Sequence, residues 1–504
     1  MVALGALVVL VLAWDVFLAG HVAQLRATPS TLAVVSAFAA LLIVPAVVVE
    51  VAGAGGVGLD GRTVNGVAWV WPLTVALCAA QALYATLRRM VAPALGVPIV
   101  AYDLLLFAIA VTRYLGADGG TPPDWAQTLG AAYASALGTL VGPASLSSPY
   151  VLLIPLVAPA FPARWPFGRP IRVLVALVAL AWVALIAGSI PSAADAVRSY
   201  DRYATESLED RPSGDFSVGI RVLPPLNGAP EPAALRGDLA LVDSTGAEAI
   251  SIVVDPDGAH IAALDSLARA LDQLRRDSTI LIVTLGYPRM AAARLRQSPR
   301  AYDSSRVADL ERIARQLDPD YMLPADEPYG RGAQVMGTLP VGYWEHYLEQ
   351  AAVAAHRVNS HIKIAVAIAA FNASDSALYA WAASPDSPLD AVGFTFFPGF
   401  AGATTLDARL RTADRWIARI PAPAREQWVF AAGGYPMAHG EESQERAVWG
   451  ALAWATAHSG VKGLIVAQSA DYGALTGLRA ANGRLRPAVA IVTRAAHTLR
   501  QSAE

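Results

Sequence analysis

Hydrophobic residues are distributed unevenly along the chain. In residues 1–193 they form runs of about 20, the length that a helix needs to cross the hydrocarbon core of a bilayer. These runs predict six spanning helices, at 2–24, 31–52, 65–87, 95–116, 127–146 and 171–191. A shorter run at 149–161 contains three prolines, which favours a re-entrant or interfacial segment. We therefore expect an N-terminal transmembrane helical domain over residues 1–193.

From residue 215 the pattern changes to short apolar runs that alternate with amphipathic helical stretches. The runs of strand length are 216–223, 249–255, 279–286, 320–326, 363–371, 391–397, 427–434 and 463–469. They are rich in Val, Ile and Ala without polar alternation, as in strands that are buried on both faces of a parallel sheet. Residues 215–504 therefore predict an α/β domain of the (β/α)8 TIM-barrel type. A doubly wound open sheet is the alternative, but no glycine-rich phosphate loop follows the first strand.

The charged residues support this division. Residues 1–193 carry eight Arg and six acidic residues, whereas residues 194–504 carry 30 basic and 35 acidic ones. The mixed charge of 194–214, which ends at Pro212 and Gly214, indicates a juxtamembrane linker. Neither part has the basic surface that nucleic acid binding requires.

The arginines of the first part predict its orientation, because cytoplasmic loops are enriched in Lys and Arg. Six fall on one side of the predicted bundle and two on the other. The six are Arg26, Arg88, Arg89, Arg164, Arg169 and Arg172, and the two are Arg62 and Arg113. This distribution predicts an integral protein of the inner membrane of a bacterial-type cell, with both termini and the barrel on the extracytoplasmic side.

Two acidic residues, Asp15 and Asp103, lie within predicted spans. Ionisable groups in hydrocarbon are costly and often mark a transport pathway or a contact with a partner. The simpler interpretation is a hydrogen bond between helices. The single cysteine, Cys78, excludes a disulfide framework, and the absence of an HExxH sequence leaves no support for a metal site or a cofactor.

The C-terminal ends of the predicted strands carry acids and aromatic residues. Asp255 follows the second strand, Asp326 and Glu327 follow the fourth, and Asp471 follows the eighth. Aromatic candidates for stacking on sugar rings are Tyr287, Tyr329, Trp344, Phe397, Tyr435 and Tyr472. Because the C-terminal face of such a barrel holds its active site, this set predicts a site for a glycan or polysaccharide.

Residues 215–504 resemble the clan A (β/α)8 glycoside hydrolases. In that clan the fourth strand typically ends in Asn-Glu-Pro, whose Glu is the general acid/base, and here Asp326-Glu327-Pro328 takes this place. The clan's nucleophile is a Glu shortly before Gly-Tyr-Pro at the end of the seventh strand. The matching run, 428–436, has Ala432 at that position. The clan's sixth strand often presents a Tyr, and Phe397 is the nearest match.

The replacement by alanine changes the expected chemistry. Retaining hydrolysis uses two carboxyl groups about 5–5.5 Å apart, and alanine can neither attack nor bear charge. Other carboxylates are candidates for activating water at the wider inverting separation. They are Asp471, Asp255, Glu441 and Glu442, and His439 is a further candidate base.

Three functions follow as hypotheses. The first is a membrane-anchored, extracytoplasmic glycosidase-like barrel that binds a cell-surface or exported glycan and has an inactive or non-classical site. The second is an active hydrolase or transglycosylase that uses Glu327 with a relocated carboxylate. The third is a membrane scaffold or transport-complex subunit whose barrel docks a partner protein.

Overall fold

The computed structural model describes most of the chain in two compact units. The described residues are 13, 15, 30–51, 69–117, 124–141, 155–158, 168–203, 208, 211–212, 214–224, 230–256, 261–274, 278–288, 290–398, 403–420, 425–436, 440–472 and 476–501. One unit comprises 1–199 together with 398–405 and 435–443, and the other comprises the rest.

The described part of the first unit is mostly helical. Its helices are α1 (Ser30–Val51), α2 (Val70–Leu87), α3 (Pro93–Ala117), α4 (Asp124–Val141) and α5 (Gly168–Tyr203), the last of which continues past residue 199. Three helical segments are long and apolar enough to cross a membrane, at Val70–Leu87, Pro93–Val111 and Leu180–Ser199. The prediction of six spans is therefore supported for three helices. The span predicted at 2–24 lies outside the described residues except for Ala13 and Asp15, which are helical.

Of the proline-containing run at 149–161, the structure describes residues 155–158, which are not helical. Proline lacks a backbone N–H and disfavours the helical conformation of the residue before it. The described part of this run is thus not helical, and its re-entrant or interfacial placement stays a prediction.

The second unit is a closed barrel of eight parallel strands in the order β1 to β8. The strands are β1 (Ser217–Arg221), β2 (Ala249–Val254), β3 (Ile280–Leu285), β4 (Tyr321–Leu323), β5 (Lys363–Ile368), β6 (Ala391–Phe396), β7 (Glu426–Ala432) and β8 (Val461–Val466). Pairing of Val218 with Leu464 joins β1 to β8 and closes the sheet. The barrel prediction is confirmed, and the alternative of an open sheet is wrong.

Helices follow the strands around the barrel. They are α6 (Pro232–Thr245), α7 (Ile261–Leu274), α8 (Ala291–Gln297), α9 (Pro299–Leu317), α10 (Arg331–Met336), α11 (Val341–Val358), α12 (Ala373–Ala382), α13 (Ala403–Arg419), α14 (Glu441–Ala457) and α15 (Ala488–Gln501). In α7 the leucines 264, 267, 271 and 274 are all buried, which explains the apolar stripe of its sequence.

The barrel interior is filled by side chains. Its core contains Ala249, Ile282, Tyr321, Leu323, Ala365, Ala367, Ala391, Trp428, Phe430 and Ile465. The two aromatic rings of β7 are stacked, with centroids 6.2 Å apart. Gly393 of β6 makes room for them, because a Cβ there would lie 2.7 Å from the Phe430 ring. The interior is therefore a packed core, which leaves the strand ends as the region where a site is expected.

The end of the predicted linker is anchored to the barrel. The side chain of Arg211 is 3% exposed and donates to the backbone carbonyls of His458 (2.8 Å) and Val461 (2.6 Å) at the start of β8. An ion pair to Asp215 at 2.8 Å adds to this attachment. The N-terminal end of β8 and the residues before β1 are thereby held together.

Candidate functional site

The loop after β4 carries the two adjacent acids. The strand ends at Leu323, so Asp326 and Glu327 lie beyond the sheet, and the strand predicted over 320–326 is shorter than expected. Glu327 has φ +50°, in the left-handed region that non-glycine residues rarely adopt. Its carbonyl accepts hydrogen bonds from the N–H groups of Gly330 and Gly332, each at 2.9 Å, which hold this conformation. Backbone strain of this kind is concentrated at functional sites.

The Glu327 carboxylate is packed closely by its own loop. A Cβ added to Gly330 would lie 2.6 Å from Glu327 Oε2 and 2.9 Å from the Cβ of Ala369. Glycine at position 330 is therefore required by this close approach. The side chain of Thr395, on β6, also hydrogen-bonds the Glu327 carboxyl. Residues from two strand ends thus fix the buried carboxyl group of a residue that is partly exposed as a whole.

The surroundings of Glu327 raise the pKa of its carboxyl above the usual range. Burial is the largest cause, and the negative charge of Asp326 adds to it. Arg221, the hydrogen bond from Thr395 and Arg409 act in the opposite direction without cancelling the increase. A carboxyl that keeps its proton to higher pH is suited to serve as a general acid.

Arg221 ends β1 and points into the barrel mouth. It pairs in register with Ser251, two residues along from the Gly219–Ala249 pair, and Ala249 belongs to the interior core. Its Nε is buried and has no hydrogen-bond partner among the described residues. The mouth therefore holds a guanidinium group that acts on the Glu327 carboxylate and retains a free donor.

A second arginine braces the loop. Arg306, on α9, is 2% exposed and donates to the carbonyls of Gly286 and Pro324, both at 2.8 Å. Its guanidinium also lies 4.9 Å from the centre of the Tyr287 ring. The ends of β3 and β4 are thus tied together by one buried cation, which bonds the carbonyl of Pro324 two residues before Asp326.

The end of β7 offers no carboxylate. Thr395 of β6 pairs with Ala431, and Phe396 pairs with Ala432, after a register shift between Phe394 and Thr395. Neighbours in a parallel register share a face of the sheet, so Ala431 lies on the same face as Thr395, which contacts Glu327. Ala432 is fully buried beside Phe396. The alignment of Ala432 with the nucleophile stays a prediction. Residues 431–434 are Ala-Ala-Gly-Gly, so an error of one or two residues in this alignment would still not put an acid at the nucleophile position.

Two of the predicted site residues lie in a buried polar network behind β8. Asp471 forms an ion pair with Arg486 at 2.7 Å, and both side chains are 3% exposed. Its Oδ1 also accepts from the N–H of Gly477 at 2.9 Å. The Tyr472 hydroxyl donates to Asp238 at 2.8 Å. The bonding capacity of both residues is used within the protein, so we leave them out of the site that we propose.

The predicted aromatic residues separate into two groups. Trp344 is 1% exposed in α11 and packs on Tyr347, with ring centroids 6.2 Å apart, so its ring is enclosed by the helical layer. Tyr287 and Tyr329 are also buried. Phe397 and Tyr435 are partly exposed. Phe397 follows β6 on the face of Thr395, which makes it the best placed of the aromatic candidates in the barrel unit.

Asp255 comes directly after β2, at the mouth. Its Oδ1 lies 3.2 Å from the position that a Cβ on Gly286 would occupy, so glycine leaves the carboxylate its space. Glu441 and Glu442 begin α14. His439 lies outside the described residues. Within the described part of the chain, no group of three or more His, Cys, Asp or Glu residues is placed to hold a metal ion.

Asp375 is a buried acid that sequence reasoning missed. It accepts hydrogen bonds from the N–H groups of Ala370 and Phe371, both at 2.7 Å, and its own N–H donates to the side chain of Asn372. Burial raises the pKa of Asp375 to about 7, and the Glu327 charge contributes. The spacing Asn-x-x-Asp before a helix is a capping signal, and from it the position of Asp375 in the first turn of α12 could have been predicted.

Comparison with known proteins identifies solved structures only. No protein-family model matches the chain, and no curated protein matches it. An exo-β-1,4-mannosidase from an Opitutaceae bacterium aligns with 56% of this chain and 60% of its own, at 14% identity and a TM-score of 0.44. A β-glucuronidase from Ruminococcus gnavus aligns with 56% of this chain and 50% of its own, at 12% identity and a TM-score of 0.41. The chain thus spans less than two thirds of either protein.

Proposed function

We propose that this chain is a membrane-anchored protein whose barrel binds a glycan at the mouth and does not hydrolyse it by double displacement. The observation that carries the proposal is the contrast between β4 and β7. Glu327 is held after β4 with the surroundings of a general acid, whereas β7 ends in small residues without a carboxyl group. Half of the catalytic pair of a retaining glycosidase is thereby missing.

The proposed binding site consists of residues that surround Glu327 or end neighbouring strands. Carboxylates and guanidinium groups hydrogen-bond sugar hydroxyls, and an aromatic face stacks on a sugar ring. Asp255, Asp326 and Glu327 supply acceptors, Arg221 supplies the unpartnered donor, and Phe397 supplies the ring.

The test is binding and cleavage by the purified full chain in detergent. We expect binding to members of a glycan array, no release of sugar from an aryl-glycoside panel, and at least tenfold weaker binding for Glu327→Gln. The control is Glu349→Gln, an exposed acid on α11, which should bind like the unmodified chain. Cleavage that Glu327→Gln abolishes would show that the barrel is an active hydrolase.

That outcome corresponds to a second candidate, an inverting hydrolase in which Asp255 activates water. The raised pKa of Glu327 favours it, because an inverting enzyme needs a protonated acid opposite a base. Asp255→Asn separates the two functions. It should abolish cleavage in the hydrolase, whereas a barrel that only binds glycans shows no cleavage to lose.

We further propose that the barrel is extracytoplasmic, on the basis of the arginine distribution in residues 1–193. The native Cys78 is buried, so an added cysteine reports alone. Arg419→Cys, at the exposed end of α13, should react with a membrane-impermeant maleimide in intact bacterial cells. Reaction only after cell lysis would place the barrel in the cytoplasm.

A further inference from the structure

The first unit contains a short non-helical segment whose backbone is bonded by side chains. The N–H of Leu156 donates to Oδ1 of Asp103 at 2.9 Å, and the N–H of Val157 donates to Oδ1 of Asp15 at 3.2 Å. Gln81, on α2, bonds both the N–H and the carbonyl of Ala158, at 2.9 and 3.0 Å. Three separate parts of the sequence therefore converge on residues 156–158.

Backbone bonding explains only part of this arrangement. Non-helical backbone inside an apolar bundle needs internal hydrogen-bond partners, and the amide of Gln81 supplies them without any charge. Asp15 and Asp103 are carboxylic acids with 0% exposure, and burying an ionised acid is far more costly than burying an amide. The presence of acids at these two positions therefore indicates a role for a group that can gain or lose a proton, which an amide cannot do.

Each acid also has an oxygen that the segment does not use. Oδ2 of Asp15 and Oδ2 of Asp103 are both buried and have no hydrogen-bond partner among the described residues. Since the two Oδ1 atoms contact successive N–H groups, the carboxyl groups lie within about 10 Å of each other. Two carboxyl oxygens beside one short segment are thus buried and unused by it.

Among the described residues, the side chains that interact electrostatically with the pair are not basic. Cys78 interacts electrostatically with both carboxyl groups, and Tyr102 with Asp103. Neither acid forms an ion pair with Lys, Arg or His in the described part of the chain. A cation bound at Oδ2 supplies a neutralising charge in this arrangement, and a proton is the one that binds a single carboxylate oxygen without further ligands.

We propose that Asp15 and Asp103 form a proton-binding site inside the first unit. A proton from water forms an O–H bond at Oδ2 of either carboxylate and returns to water when it leaves, while Oδ1 keeps its bond to the segment. The site does not depend on Glu327 or on glycan binding. It gives the helical bundle an exchangeable proton, which is the element that a proton-coupled transport step requires.

The test is reaction of the full chain in lipid vesicles with dicyclohexylcarbodiimide, an apolar reagent that modifies protonated carboxyl groups in membranes. We expect one adduct per chain, mapped by mass spectrometry to Asp15 or Asp103, with a labelling rate that falls at least tenfold between pH 5.5 and 8.5. This measurement on the unmodified chain requires no variant to fold.

Variants and a competing cation serve as controls for the labelling experiment. Asp15→Asn combined with Asp103→Asn should abolish the adduct, and Asp195→Asn, at an exposed position on α5, should leave it unchanged. Absence of an adduct at every pH, or a rate independent of pH, would overturn the proposal. Protection by 100 mM Na+ at constant pH would also overturn it, because the bound cation would then be sodium.

Discussion

Replacement of Asp471 by Asn distinguishes a structural role from a catalytic one for this residue. The change keeps the shape of the side chain and removes its charge, which leaves Arg486 buried at 3% exposure without a counter-ion. Removing one partner of a buried ion pair costs about 3–5 kcal/mol, because the remaining charge stays desolvated. For a barrel of this size that loss corresponds to a decrease in Tm of about 5–8 °C.

The assay is thermal unfolding of the full chain in detergent, followed by tryptophan fluorescence. Arg315→Gln is the matched control, because its ion pair with Glu311 at 3.0 Å has an arginine that is 61% exposed. Exposed pairs contribute about 0–1 kcal/mol, so the control should change Tm by less than about 2 °C. Asp471→Asn combined with Arg486→Met removes both charges and should recover most of the loss.

Two results would refute this reasoning. A Tm for Asp471→Asn within 1 °C of the unmodified chain would mean that the ion pair does not stabilise the fold. Loss of a measured glycosidase activity with unchanged Tm would return Asp471 to the catalytic role that its position after β8 suggested.

Further predictions concern the residues beside Glu327. Gly330→Ala places a Cβ 2.6 Å from Glu327 Oε2 and should weaken glycan binding at least tenfold, whereas Gly342→Ala, with 4.0 Å to the nearest atom, should bind normally. In Arg306→Lys the lysine side chain cannot bond the carbonyls of both Gly286 and Pro324. The substitution should therefore lower the free energy of unfolding of the barrel by about 2–4 kcal/mol in denaturant titrations, and an unchanged midpoint would contradict this. Asp375 has a pKa of about 7 in the folded chain and an ordinary value of 3.8, so its stabilising contribution is complete below pH 4 and is lost as pH rises through 7. Asp375→Asn should therefore reduce the decrease in Tm between pH 5 and 8, and an equal decrease in both proteins would show that another group causes it.

The barrel could be predicted because its signal is repeated. Each of the eight strands was recognisable from a short run of buried apolar residues, mostly Val, Ile and Ala outside β4, and each observed strand falls within or overlaps the predicted run. The ends were less accurate, as at β4, which stops at Leu323 before Pro324. Proline has no N–H to continue the ladder, so the two acids lie in a loop. The sequence predicted that these two acids belong to the candidate site, but it did not predict the backbone conformation of the loop that carries them.

At Glu327 the local sequence rule predicts the wrong backbone conformation. The residue before a proline is expected to be extended, with negative φ, yet Glu327 precedes Pro328 and has φ +50°. The loop imposes this conformation through the bonds from Gly330 and Gly332 to the Glu327 carbonyl. The sequence analysis did not predict a role for Arg221. A charged residue inside an apolar run does not indicate which carboxylate it will interact with, and Glu327 lies 106 positions later in the chain.

The same geometry limits how the barrel could still cleave a glycosidic bond. Attack by a β7 carboxylate is excluded at residues 431–434, which have no acidic side chain. Asp471 is neutralised by Arg486, and Asp375 is enclosed with 0% exposure, so neither carboxylate is open to a sugar or to a water molecule. Among the described residues of the barrel unit, Asp255 is the acid beyond the Asp326–Glu327 pair that is both at the C-terminal end of a strand and partly exposed. Any hydrolysis by this mouth should therefore depend on Asp255 and proceed with inversion, because inversion needs a base that activates water and no nucleophile at β7.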